Sequence, residues 1–300
     1  MKGKLSLLLL LMILLATGGT SRVGFAREDA SNTLTAAGRM QAYVIDVGRG
    51  QSVLVVSPAG KAALIDGGPP EAGQRVVNEL RRRGVQNLEY VVATQAGADY
   101  IGGLRRVAAS SDIVIRNFID NAQPWKTDAY QQVLAAVQSA NVPVTQARRG
   151  LFFDLGGGAR IDIVNPMGGG TWIDTPGVSK ENANAVVVRV IYREFVMLVM
   201  GGAGAPTAMN MLEARQNIWA PFLVIGNQGA QGSVSEKMLS IVQPKLAIIQ
   251  TATGNLPAAE TLDLLKAAKA EIYRTDEVGS VAITSDGKKH EITTERKSAP

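Results

Sequence analysis

Apolar, β-branched runs at 41–47, 52–57 and 61–65 are separated by glycine-rich and Pro-Ala-Gly turn signals, a pattern that predicts consecutive antiparallel strands. The period then changes. Over 70–83 the residues Val76, Val77 and Leu80 fall on one helical face, and Gly84 supplies a stop. A strand at 90–94 and a helix after Gly103 follow, then a strand at 113–119, a helix at 127–140 and short strands near Val144 and over 161–164. The runs 185–192 and 195–200, parted by Arg193-Glu194, read as a hairpin apolar enough to be buried on both faces. Helical patterns at 206–216, 233–242 and 258–270 alternate with strands at 222–225, 245–250, 271–274 and 280–284. Hairpins first, then strands alternating with helices, imply a mixed α/β (α+β) architecture in which helices cover the sheets. From Lys288 to Pro300 the chain is charged and is expected to be a frayed tail, and Gly168-Gly169-Gly170 reads as an exposed loop.

The first residues change where the folded body is expected to begin. Met1-Lys2-Gly3-Lys4, an apolar run from Leu5 to Ala16 and small residues ending in Ala26 have the order of a secretory signal peptide, with cleavage expected after Ala26. The run is too short for the roughly 20 residues of a spanning helix, so a secreted or periplasmic bacterial protein is expected. Residues 27–39 read as a linker and 40–287 as one domain. Lys2, Lys4 and Arg22 would leave with such a leader, reducing 31 basic side chains to 28 against 26 acidic ones. That balance gives DNA binding little support, and the runs Arg81-Arg82-Arg83, Arg105-Arg106 and Arg148-Arg149 read as solvated helix ends or loops. Cysteine is absent, so neither disulfides nor thiolate metal sites exist.

Five stretches in order carry a resemblance: Val44-Ile45-Asp46-Val47-Gly48-Arg49-Gly50-Gln51-Ser52, Leu64-Ile65-Asp66-Gly67-Gly68-Pro69, Asp99-Tyr100-Ile101-Gly102-Gly103-Leu104, Asn182-Ala183-Asn184-Ala185-Val186-Val187, and Tyr273-Arg274-Thr275-Asp276 with Gly279. The chain resembles the metallo-β-lactamase-like domain of ComEC-type bacterial DNA-uptake proteins and their secreted hydrolase relatives. The resemblance implies an αββα sandwich of two mixed sheets. It also implies zinc, held by a His-x-His-x-Asp-His loop, where this chain reads Gln95-Ala96-Gly97-Ala98-Asp99-Tyr100. A Gly-Asp pair that bridges the metals in the family is Gly201-Gly202 here, and Gly-His-His-Gly-Ser is Gly226-Asn227-Gln228-Gly229-Ala230. A further family histidine is missing from the segment Asn255-Leu256-Pro257. Two zinc ions sharing a water of pKa near 7 need several neutral imidazoles, and the one histidine of this chain is His290. No zinc and no other cofactor are therefore expected, and the reading is a pseudoenzyme.

Asp46, Asp66, Asp99 and Asp120 are the remaining acidic candidates for a hard cation. Each also has a structural reading: Asp66 and Asp46 as turn and strand-end residues, Asp99 as an N-cap for the helix from Tyr100. A hydrolase of phosphoester bonds using these carboxylates is the alternative to a non-catalytic module. Gln95, Tyr100, Asn227 and Gln228 are expected to line the altered cleft. There Gln95, Tyr100 and Gln228 could hydrogen-bond a neutral polar ligand or a protein partner, or satisfy one another and fill the space. Gly201-Gly202-Ala203-Gly204 and Gly48-Arg49-Gly50-Gln51-Ser52 lack the endings of nucleotide-binding loops and read as turns. Trp125, Trp172 and Trp219 read as packing residues.

Overall fold

The computed structural model describes residues 38–168 and 173–296. The expected leader, all but the end of the linker, part of the Gly168-Gly170 loop and Trp172 lie outside the described residues. In chain order the strands are β1 (Met40–Val44), β2 (Val53–Val56), β3 (Ala62–Ile65), β4 (Asn87–Val92), β5 (Val114–Ile115), β6 (Phe118–Asp120), β7 (Val144–Gln146) and β8 (Phe152–Gly156). They continue with β9 (Ala159–Asn165), β10 (Val187–Tyr192), β11 (Phe195–Val199), β12 (Phe222–Val224), β13 (Leu246–Ile249), β14 (Glu271–Arg274), β15 (Val281–Ser285) and β16 (His290–Thr294). One sheet runs β16-β15-β1-β2-β3-β4-β6-β7, with β5 also on β4, and the other runs β14-β13-β12-β11-β10-β9-β8. Both are mixed. In the first, β1, β2 and β3 pair antiparallel and β3, β4, β6 and β7 parallel; in the second, β8 to β11 pair antiparallel and β11 to β14 parallel.

Alternation along the strands produces the layers. Met40, Ala42 and Val44 of β1 and Val53 and Val55 of β2 face Val188, Val190, Met197 and Val199 of the other sheet in one buried inter-sheet core. Tyr43, Ile45 and Leu54 point the other way, onto helices Gly73–Arg82, Leu104–Ala108 and Asp128–Ser139. Helices Ala205–Glu213, Glu236–Val242 and Ala259–Ala267 cover the outer face of the second sheet through Leu198, Leu223 and Ala247. Helix, sheet, sheet and helix form the four-layer sandwich.

Local chemistry starts and stops the helices where the sequence suggests. The Thr127 side chain accepts from Tyr130 N at 3.3 Å and Ser235 from Met238 N at 3.2 Å, answering free amides at two helix N-termini. Arg81 lies in the last turn of Gly73–Arg82, where a cation suits the helix dipole, and binds Asp112 through Nε and Nη2 at 2.7 and 2.8 Å. Glu79 takes both Arg82 and Arg83. The arginine run is thus paired on the surface. Arg149 differs from the solvated reading: it is part-buried and donates to Val164 O and Asn165 Oδ1.

The tail expectation is corrected. Residues His290–Thr294 are β16, in antiparallel register with β15 from Val281↔Thr294 to Ser285↔His290, and Ile292 packs on the inter-sheet core. Lys288 and Lys289 mark the turn, where their amides donate to Asp286 Oδ1, and Glu295 accepts from Ser280 N and Oγ. The polar residues of β16 are those of an edge strand, where charge discourages further pairing. β8, another edge strand, has no counterpart in the sequence expectation. A chain ending at Gly287 should lose on the order of 3 kcal/mol of stability in urea unfolding, from the lost burial of Ile292 and the lost ladder. An unchanged midpoint would return this segment to a frayed tail.

Candidate functional site

The carboxyl ends of strands from both sheets deliver their loops to one end of the sandwich, which is where open α/β sheets place their sites. β3 runs into Asp66, β4 into Thr94 and Gln95, β11 into Gly201-Gly202, and β12 into Asn227-Gln228. The β1–β2 loop adds Arg49 and Gln51.

Asp66 is the anchor of this end. It is wholly buried and holds φ +59°, which a short polar side chain tolerates better than most. Its carboxylate accepts from Thr94 N at 2.8 Å, Thr94 Oγ1 at 2.6 Å and Gln51 Nε2 at 2.8 Å, while Ser52 Oγ donates to its carbonyl at 3.1 Å. Burial nonetheless pushes the Asp66 carboxyl up to about 7, against the lowering effect of the Thr94 and Gln51 hydrogen bonds. Gln250, at the end of β13, donates to Ile45 O and Ser52 O from beneath the same loop.

The loop after Thr94 turns into the short helix Ala98–Ile101. The residue that caps it is Gly97, so the expectation that Asp99 caps the helix is corrected: Asp99 lies inside the first turn and pairs with Arg49 Nε at 2.9 Å on the rim. An acidic group in a helix's first turn is favoured there, and the nearby arginine adds to it. Gly97 stands between Gln95 and Tyr100, since a Cβ on it would be 3.4 Å from Gln95 Oε1 and 3.6 Å from Tyr100 Cδ2.

Tyr100 is the buried centre of the cluster. Its hydroxyl completes no regular hydrogen bond; burial and the charges of Asp66 and Asp99 push its pKa well above the ordinary phenol range, against the lowering effect of the neighbouring Gln95 and Gln228 amides. At Gly202 a Cβ would stand 2.4 Å from both Gln95 Nε2 and Asn182 Oδ1. The Gln95 amide therefore occupies the space a larger residue at Gly202 would claim. Asn227 and Gln228 both have positive φ, and Asn227 N donates to Gly201 O at 2.9 Å, joining the turns after β11 and β12.

Comparison with known proteins agrees with this architecture. The metallo-β-lactamase superfamily pattern matches residues 45–180. The fold is that of the metallo-β-lactamase sandwich. It is 22% identical over 262 residues to ComE operon protein 3 of Bacillus subtilis (strain 168), covering 79% of this chain and 32% of that protein. The chain thus spans about a third of the length of that relative. Two solved structures share the fold at 11% identity. The novel metallo hydrolase Igni18 from the archaeon Ignicoccus hospitalis has a TM-score of 0.50, covering 81% of this chain and 98% of that one. A CmlA β-hydroxylase variant has a TM-score of 0.52, covering 81% of this chain and 53% of that one.

The zinc that the metallo-β-lactamase fold implies can be tested against these side chains. Among the described residues no group of three or more His, Cys, Asp or Glu stands close enough to hold a metal ion. His290 lies on edge strand β16, its ring 5.0 Å from that of Phe222 at the start of β12, the opposite end of that strand from Asn227. Gln95, Gly97, Tyr100, Gly202, Asn227 and Gln228 offer amides, a phenol and bare backbone where zinc takes imidazole, thiolate or carboxylate. This donor set does not fit a dinuclear zinc centre.

The four carboxylates are dispersed and engaged. Asp46 accepts from Gly48 N and lies 3.7 Å from Arg75 and 3.6 Å from Arg296; Asp120 accepts from Tyr130 Oη at 2.5 Å and from Ala122 N. Gln95, Tyr100, Gly202 and Gln228 come together. Asn182, Thr94 and Gln51 complete the site without having been singled out as site residues, because nothing in an isolated Asn, Thr or Gln marks it as facing a cleft. Trp125 is buried with Nε1 on Asn121 Oδ1, and Trp219 is half exposed.

Proposed function

We propose that this chain is an exported, non-catalytic binding or scaffold module on the metallo-β-lactamase sandwich, related by descent to ComEC-type competence proteins. The observation that carries this reading is the Gln95 side chain packed against Gly202: a neutral amide fills the place where the family's bridging carboxylate would project. Every other ligand position except Asp99 is also neutral, and Asp99 is committed to Arg49. A pseudoenzyme without zinc or another cofactor follows, with the cleft left for a small polar ligand or a protein partner. A secreted or periplasmic location rests on the leader-like residues 1–26, and among the described residues no helix is long and apolar enough to cross a membrane. The carboxylate hydrolase gains nothing from the geometry, because Asp46, Asp66, Asp99 and Asp120 each have their own protein partners.

The test is elemental analysis of the untagged protein after incubation with zinc, manganese and magnesium and dialysis, beside a phosphodiester assay. Less than a tenth of a metal per chain and no turnover are expected. Stoichiometric metal with turnover abolished by Asp99→Ala would overturn the proposal.

A further inference from the structure

The groups around Tyr100 have more hydrogen-bonding capacity than the protein uses. The Tyr100 hydroxyl is buried without a regular partner, an unfavourable state for a polar group that has given up water. Gln95 and Gln228, 7% and 8% exposed, bring side-chain amides against that hydroxyl that favour its ionised form, and each amide has a second donor and an acceptor beyond that contact. Beside them Gln95 Nε2 and Asn182 Oδ1 converge on Gly202, so that a donor and an acceptor lie next to each other.

The charges nearby are already answered. Asp99 is held by Arg49 at 2.9 Å, and three donors surround the Asp66 carboxyl. An anion would meet no unspent cation here, and a cation no unspent carboxylate. What remains unspent is neutral and mixed: amide donors, amide acceptors and one phenol. A carboxamide presents the complementary edge, one N–H and one C=O in a plane, and can pair with a glutamine or asparagine side chain through both at once.

We propose that the cleft formed by Gln95, Tyr100, Asn182, Gly202 and Gln228 binds a neutral carboxamide, such as a peptide bond or an N-acetyl group. This rests on reading the cleft as a binding site without metal. The orphaned Tyr100 hydroxyl then gains the ligand carbonyl as acceptor of its proton, and the two glutamine amides fix the plane of the ligand.

The experiment is a titration of the ¹⁵N-labelled full chain with N-acetyl-L-alaninamide, glycerol, sodium acetate and methylammonium chloride, followed at the side-chain amide signals of Gln95 and Gln228. Saturable shifts with N-acetyl-L-alaninamide alone are expected, weakened at least tenfold in Tyr100→Phe. If that variant fails to fold, Gln228→Ala serves the same purpose on a residue at the cleft edge. Equal response to glycerol, or a response to either ion, would overturn the proposal. So would the absence of saturable shifts with any probe, which leaves ordered water as the occupant. Retained metal with turnover in the elemental analysis would end the non-catalytic reading by a separate measurement, so the two failures can be told apart.

Discussion

Gly50→Ala should lower the stability of this protein by about 3 kcal/mol or more, and its melting midpoint by roughly 6–12 °C, because two independent penalties fall on one atom. Gly50 holds φ +119°, a conformation that L side chains rarely adopt. A Cβ there would also stand 1.8 Å from the carbonyl oxygen of Asp99, well inside any contact distance. That carbonyl cannot step aside. It accepts from Gln51 N at 3.3 Å and belongs to the helix Ala98–Ile101 that carries Tyr100. Gly48 is the control, since it too has positive φ, +71°, but has nothing within 4 Å of a Cβ, so Gly48→Ala should carry only the backbone strain of about 1 kcal/mol. Thermal melts of the two variants separate contact from strain. Equal midpoints would show that the β1–β2 loop does not bear directly on the Asp99 segment.

Gly202→Ala should behave differently, although its Cβ is also crowded. The atoms it meets are the far ends of the Gln95 and Asn182 side chains, which can rotate away. The same measure of crowding thus marks a rigid joint at Gly50 and a movable filling at Gly202. It is the movable filling that stands where the sequence resemblance places the metal chemistry.

The sandwich was legible in the sequence because its signals are redundant. β10 and β11 appear as two dense apolar runs around Arg193-Glu194, and the inter-sheet core repeats that alternation in strand after strand. β16 and β8 were not legible for the opposite reason. Each lies at a sheet edge; β8 is short and runs into Gly156-Gly157-Gly158, and in β16 the lysines of the preceding turn mask the short alternation around Ile292. The scarcity of imidazole and thiolate ligands was likewise plain from residue type, since the chain has one histidine and no cysteine. How the replacements pack was not. The use of Asp99 in an ion pair with Arg49 and the approach of Asn182 to Gly202 depend on loops brought together from distant parts of the chain, and no local pattern encodes that meeting.

Asp66→Asn should remove a pH dependence of stability that the wild-type protein carries between about pH 4 and pH 7. In the folded chain burial raises the Asp66 carboxyl to about 7, whereas in the unfolded chain it returns to its ordinary value of 3.8. Between these values the folded state holds a proton that the unfolded state has released. The contribution is therefore fully present below pH 4, declines as pH rises, and is gone above pH 7. Across that window it amounts to about 4 kcal/mol at most, from 1.36 kcal/mol per pKa unit. Asparagine keeps the shape without the titration: its oxygen can accept from Thr94 N and its amide can donate to Thr94 Oγ1, while Gln51 turns its own oxygen inward. Urea unfolding at pH 4, 6 and 8 should then show the variant gaining on the wild type by a few kcal/mol from the lowest pH to the highest. A constant difference would sink this account, and a difference of opposite sign would mean that the three donors on Asp66 outweigh its burial. In that second case the carboxylate is held ionised, its stabilisation is present above pH 4, and it is lost on acidification. Either sign locates the balance between desolvation and hydrogen bonding at the joint on which the Gln95 and Tyr100 loop is hung.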